Sequence, residues 1–293
     1  MVIESFLRRL SFVKYLYALA VEQSKKPEPL AAVSILMFHD SIELFFQIAS
    51  EYLNVKTDKA SFMDYFEILE KKIGKELAQK ESMRRLNKSR VALKHHGTLP
   101  SKLDIEAMRA STTNFFNENT EIIFDFEFND LSLAILVNCV EARENLELAN
   151  KHIKEGKLND SLVCIAIAFQ QIIDNYETTK FSLYNNSPLF FGEPLTFESS
   201  YFIKPENQRL ASFIDKVKSS VEAMQSAIKV MSLGLDYRKY AKFKILTPCV
   251  FRTASGRYTV EIDSRKENIT VEDCKFCYDF VIESAIKIQD FEP

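Results

Sequence analysis

Tryptophan is absent from the 293 residues, and glycine (6) and proline (8) are scarce. So few turn formers argue against a turn-rich β architecture and for long helices. There is no Gly-rich phosphate loop, GxGxxG, GxSxG or HExxH. Nucleotide-fold, hydrolase-elbow and zincin readings therefore have no support. Long apolar runs are missing too: the strongest, residues 33–49, is interrupted by His39, Asp40, Glu43 and Gln47. No membrane span is expected from it. The N-terminal stretch sets Glu4, Arg8 and Arg9 among its apolar residues and lacks a small-residue cleavage site, so no signal peptide is expected. Cys139, Cys164, Cys249, Cys274 and Cys277 are odd in number and sit mostly alone on apolar segments. They read as reduced thiols of a cytoplasmic protein. Cys274 and Cys277 form a CxxC with no second pair at zinc-ligand spacing, and read as two small core residues.

Apolar residues make up 46% and charged residues 27%, enough for a packed core and against a disordered chain. The length suits two domains of roughly 100 to 200 residues each, or one large one. Apolar positions recur at spacings of three and four, which predicts a mainly α protein. Helices are expected over residues 3–25, 30–54, 60–73, 76–95, 103–124, 131–155, 159–184, 206–231 and 270–289. Pro27 and Pro29, Gly97 and Gly156 punctuate several of their ends. Residues 185–205 read as irregular. A change of period predicts a small β-hairpin at about 242–262. The acidic segment FDFEFND marks a break near residue 129, dividing a helical bundle (1–129) from a second helical region (130–293).

The formal net charge of −3 conceals an uneven distribution. Residues 71–96 hold nine Lys or Arg against Glu76 and Glu81. Residues 113–130 hold five acids and no base. A helix with that excess of positive charge attracts polyanions, although a basic run also serves as a plain solvated face. Near its end Arg90 is followed by His95 and His96, then by Gly97 and Pro100. On an ideal helix Arg90 lies about 140° from His95 and about 120° the other way from His96. The histidines reach the Arg90 face only if the last turn unwinds, which Gly97 and Pro100 are expected to allow. Met83, Leu86 and Leu93 lie within about 60° of Arg90, so the arginine emerges from a partly apolar face.

Residues 33–49 predict a buried helix with Ile35, Phe38, Ile42, Phe45 and Ala49 on one face. Asp40, Glu43 and Gln47 form a polar stripe at spacings of three and four. Such a stripe calls for a cation, either Arg90 or a protonated histidine, as a ligand site or as a structural ion pair. His39, turned about 100° from Asp40, and His152, on a polar helix end, read as packing or surface residues.

Arg90-Val-Ala-Leu-Lys-His95, with His96 at the longer spacing, late in a helical bundle with an acidic residue on an earlier helix, resembles the HEPN superfamily. The context LKHHGTLP is typical of bacterial members, and the likeness covers roughly residues 1–125. It implies a metal-independent endoribonuclease with a composite site at a homodimer interface, often a toxin, abortive-infection or antiphage-defence effector restrained by a cognate regulator or antitoxin. It implies catalytic roles for Arg90 and His95 (or His96), with Asp40 or Glu43 orienting the arginine or raising the histidine pKa. Motif spacing favours His95. Arg84, Arg85, Lys88 and Lys94 would then contact RNA phosphates. No cofactor and no metal ligand set is expected. Val91 follows the arginine where active members commonly carry Asn, Asp or His. That departure favours an alternative, a HEPN-like module that binds RNA, nucleotide or protein without cleaving. A structural helical adaptor is the second alternative. Further on, Tyr237, Tyr240 and Phe243 interleave with Arg238, Lys239 and Lys242, as in single-strand binders whose aromatics stack bases. The competing reading is a half-buried hairpin with those rings turned inward.

Overall fold

The computed structural model describes residues 2–184, 189–191, 207–253, 255–261 and 268–289. The chain is mainly α, with one two-stranded antiparallel hairpin among the described residues. It divides into two compact units, Met1–Leu136 and Val137–Pro293, so the boundary falls shortly beyond the acidic FDFEFND segment.

The first unit contains α1 (Val2–Ser24), α2 (Val33–Tyr52), α3 (Asp64–Ile73), α4 (Lys80–His96) and α5 (Lys102–Phe124), followed by two short 3-10 turns. Helix α2 lies against the other four. Its expected face is fully enclosed: Ile35, Phe38, Ile42, Phe45 and Ala49 are all at 0% exposure. With the preceding turn it has the length and apolarity of a membrane span, but most of its apolar window is spent inside the bundle. Phenylalanine fills the core where tryptophan is lacking. Phe45 meets Phe115 edge-on at 5.4 Å and Phe46 meets Phe66 at 5.0 Å, the tilted geometry that aromatic quadrupoles favour.

Two local devices place α4. Gly74, at φ 75°, ends α3 in the left-handed region. In the link that follows, Glu70 accepts the backbone N–H of Leu77 (3.1 Å) and pairs with Lys80 (2.9 Å). The start of α5 is held by a reciprocal capping box between Ser101 and Asp104.

The second unit contains α6 (Val140–Lys154), α7 (Leu158–Tyr184), α8 (Gln208–Ser232), α9 (Tyr237–Leu246), β1 (Cys249–Arg252), β2 (Tyr258–Glu261) and α10 (Val271–Gln289). The strands pair Cys249 with Glu261 and Arg252 with Tyr258. The hairpin is thus shorter than expected. Residues 242–246, read as strand, continue a helix whose Phe243 is buried against Phe169 (5.0 Å) and Phe280 (5.1 Å). Asp236 caps that helix by accepting the N–H groups of Arg238 and Lys239. Residues 131–139, expected to begin a helix, instead contain a 3-10 turn, and α6 starts at Val140. The irregular stretch at 185–205 lies, apart from 189–191, outside the described residues.

Candidate functional site

Helix α4 presents two opposed faces. Met83 and Leu86 are fully buried, Leu93 packs on the core, and Arg90 shares their side at spacings of three and four, half-buried. On the other side Arg84, Lys88, Val91 and His95 are exposed at spacings of four, three and four. Arg84 lies 3.4 Å from Glu81. Arg85, Lys88, Arg90 and Lys94 have no ion-pair partner among the described residues.

The expected unwinding of the last turn does not occur. The helix runs regularly to His96 and stops at Gly97 (φ 66°), whose N–H bonds Leu93 O at 3.1 Å while that of Thr98 bonds Ala92 O at 3.2 Å. A glycine in the left-handed region closes the final carbonyls after the turn is complete, rather than opening the turn before it. His95 and His96 are both exposed, and helix geometry directs them about 140° and 120° from Arg90. Within one chain they do not converge with it.

The imidazole that does stand near Arg90 comes from α2. His39 is 3% exposed, and its ring stacks on Phe62 with centroids 4.2 Å apart. Its Nε2 lies 3.2 Å from Asn87 Oδ1 on α4. Its Nδ1 lies 3.6 Å from an Asp40 oxygen and 3.7 Å from a Glu43 oxygen, has no hydrogen-bond partner, and is closed off from solvent. Burial, and then the positive charge of Arg90, push the His39 pKa down; Glu43, Asp40 and the Asn87 contact oppose that shift. With the Asn87 oxygen assigned toward the ring, Nε2 carries the proton and donates it.

Neither Arg90 nor a protonated histidine meets the acidic stripe: the ring that faces it is that of His39, whose pKa is pushed down. Arg90 makes no ion pair with Asp40 or Glu43. His39 does pack, as read, but it also joins α2 to α4 at the foot of Arg90. The signal that could have found it is the four-residue step from His39 to Glu43, which places both on one helix edge. Ligand atoms of His39, Asp40 and Glu43 all lie within 4.8 Å of one another, a convergence that helical spacing alone does not reveal.

In the second unit the basic and aromatic residues separate. Arg238 is exposed, and Tyr237 is 47% exposed. Tyr240 and Phe243 pack with Phe169, so those rings turn inward. Lys242 is exposed but sits 4.2 Å above the Phe276 ring and 4.0 Å from Asp273, while Lys239 bonds Glu283 at 2.7 Å. Cys274 and Cys277 are fully buried on α10, as core residues. Comparison with family models, with curated proteins and with solved structures finds no significant match.

Proposed function

We propose that the chain is a metal-independent endoribonuclease of the HEPN type, a cytoplasmic toxin or antiphage effector that works as a homodimer under a cognate regulator. The observation that carries this reading is Arg90: an arginine on the core-facing side of a basic helix, a half-buried residue without an ion-pair partner among the described residues. A half-buried arginine with no counter-ion is matched to an anionic ligand, and a phosphate diester accepts its planar fork. Lys94 extends the positive surface on the Arg90 side, and Arg84, Arg85 and Lys88 carry it round the opposite face of the helix, in contacts that hold a nucleic-acid backbone without reading bases.

In the proposed chemistry an imidazole removes the proton from a ribose 2′-hydroxyl, whose oxygen attacks the adjacent phosphorus. The bond to the 5′-oxygen breaks, that oxygen is protonated, and a 2′,3′-cyclic phosphate remains. Arg90 holds the non-bridging oxygens as negative charge builds. His95 of a second copy fits the imidazole role better than His95 of the same chain, because one helix directs the two side chains apart. Asp40 and Glu43 lie beside His39, whose ring feels their charge and that of Arg90 in opposite senses.

A second reading, binding without cleavage, is favoured by that same divergence and by Val91. One experiment separates them: RNA incubated in EDTA with wild type, Arg90→Ala and His95→Ala, alongside growth arrest on expression. Cleavage leaving cyclic-phosphate ends, lost in both variants, supports the nuclease. Equal cleavage by the variants refutes the site. No cleavage by any form, with salt-sensitive RNA binding that weakens on Arg90→Ala, supports the binding module.

A further inference from the structure

With the Asn87 oxygen assigned toward the ring, the buried edge of His39 faces two carboxylates with no proton between them. With Nε2–H donated to Asn87, the Nδ1 lone pair points toward oxygens of Asp40 and Glu43 at 3.6 and 3.7 Å, beyond hydrogen-bond reach. A bare acceptor shut off from solvent beside two anions is an unfavourable arrangement on its own. A cation resolves it by using all three lone pairs at once. We propose that His39, Asp40 and Glu43 form a divalent-cation site on α2, binding Zn2+ through His39 Nδ1 and one oxygen from each carboxylate.

The donor set, with an imidazole nitrogen, fits this metal better than a hard all-oxygen cation. Bonds of about 2.0–2.1 Å in a tetrahedral shell place donors roughly 3.3–3.4 Å apart, so the His39–carboxylate gaps of 3.6 and 3.7 Å narrow by a few tenths of an ångström and the two carboxylate oxygens, within 4.8 Å of each other, draw together. The carboxylates can supply that movement: the side chains of Asp40 and Glu43 are 58% and 43% exposed. The imidazole need not move, since Phe62 and Asn87 hold its plane. A neighbouring carbonyl that accepts the remote ring N–H is the usual support of a metal-bound histidine, because it fixes the tautomer with the lone pair toward the ion. One nitrogen and two oxygens suit Zn2+, and the exposed side leaves a position for water. The single charge of Arg90 opposes the cation, but the two carboxylates outweigh it.

This site does not rest on the nuclease reading, since cleavage in EDTA and metal binding are measured separately. Titration calorimetry of the full chain with ZnCl2, with Co2+ absorption as a second probe, is expected to show one ion per chain. Asp40→Asn/Glu43→Gln, whose changes lie at exposed positions, is expected to abolish binding with an unchanged circular dichroism spectrum. Asn87→Ala is expected to weaken it about tenfold by releasing the ring. A His95→Ala/His96→Ala/Cys249→Ser chain, lacking the other exposed histidine and thiol ligands, is expected to bind as wild type does. No binding by wild type, full binding by the carboxylate variant, or loss of binding in the last variant would each overturn the site.

Discussion

The side-chain amide of Asn119, at 0% exposure, satisfies both backbone polar groups of Ala78: its Oδ1 accepts the Ala78 N–H at 2.8 Å and its Nδ2 donates to the Ala78 carbonyl at 3.2 Å. The same Nδ2 also reaches Phe115 O at 2.9 Å. One residue of α5 thereby fixes the link that launches α4 and sets where Arg90 emerges. Asn119→Ala leaves the amide groups of Ala78 unpaired, at a cost of about 2 kcal/mol. Urea denaturation measures it, and faster hydrogen exchange at Ala78 with an unchanged helix content is the accompanying sign. A loss within error of zero refutes the anchoring role.

The sequence made the first unit more legible than its site. The enclosed face of α2 follows from apolar spacing alone, since five residues at three- and four-residue steps can only share one side. His39 was harder, because a helical wheel records where Cβ points and not where a ring nitrogen ends. Its Cβ direction lies about 100° from that of Asp40, yet the imidazole brings Nδ1 back to 3.6 Å from the carboxylate. Residues 242–246 failed for a different reason. Alternation of Lys and apolar residues there fits a strand, and only the rings of Phe169 and Phe280 select the helix that buries Phe243. The fate of the last turn of α4 was not legible either: Gly97 serves equally to open a turn or to close one.

Tyr258 is expected to make the second unit alkali-sensitive. Its hydroxyl donates to Asp174 at 2.8 Å, and burial followed by that carboxylate contact pushes its pKa up to about 12. The unfolded phenol releases its proton near pH 10. A folded value above the unfolded one gives stability that is complete below about pH 10 and is lost as pH rises through about 12. Tyr258→Phe should cost about 1 kcal/mol at pH 8, a modest figure because the ring is partly solvated. The difference from wild type should vanish toward pH 12. Phenolate absorbance that shows no late-titrating tyrosine lost in the variant would argue against this contact.

The five thiols are expected to separate by access and by acidity. Cys249 is exposed on β1, so it should react first with a disulfide reagent at pH 8. Cys139 is half-buried, and burial pushes its thiol pKa up, so it should follow slowly. Cys164, Cys274 and Cys277 are buried, and burial pushes the Cys274 thiol up to about 11. These three should react only after denaturation. Cys249→Ser should remove the fast phase alone. A fast phase in the native protein from Cys274 or Cys277 would contradict their place in the core and reopen the CxxC as reactive chemistry.

Helix α8 bears directly on the proposed homodimer. Leu210, Val217, Met224 and Met231 repeat at seven-residue intervals and are 44%, 44%, 57% and 52% exposed, and Phe213 and Ile228 border them at 62% and 41%. Ile214, Val221 and Ile228 fall between at the complementary heptad position, so the stripe has the period and the β-branched content of a two-stranded helical seam. A second copy of the same helix matches that period by symmetry, since a two-fold contact sets each apolar residue against its own kind. A glutamate on the stripe places a charge inside that apolar seam. Val217→Glu and Met224→Glu should therefore each weaken self-association at least tenfold, about 1.4 kcal/mol, while Ser219→Glu on the polar side should not. Sedimentation velocity at micromolar concentration reads the outcome. A wild-type chain that stays monomeric there would remove both this contact and the partner copy that the nuclease reading requires.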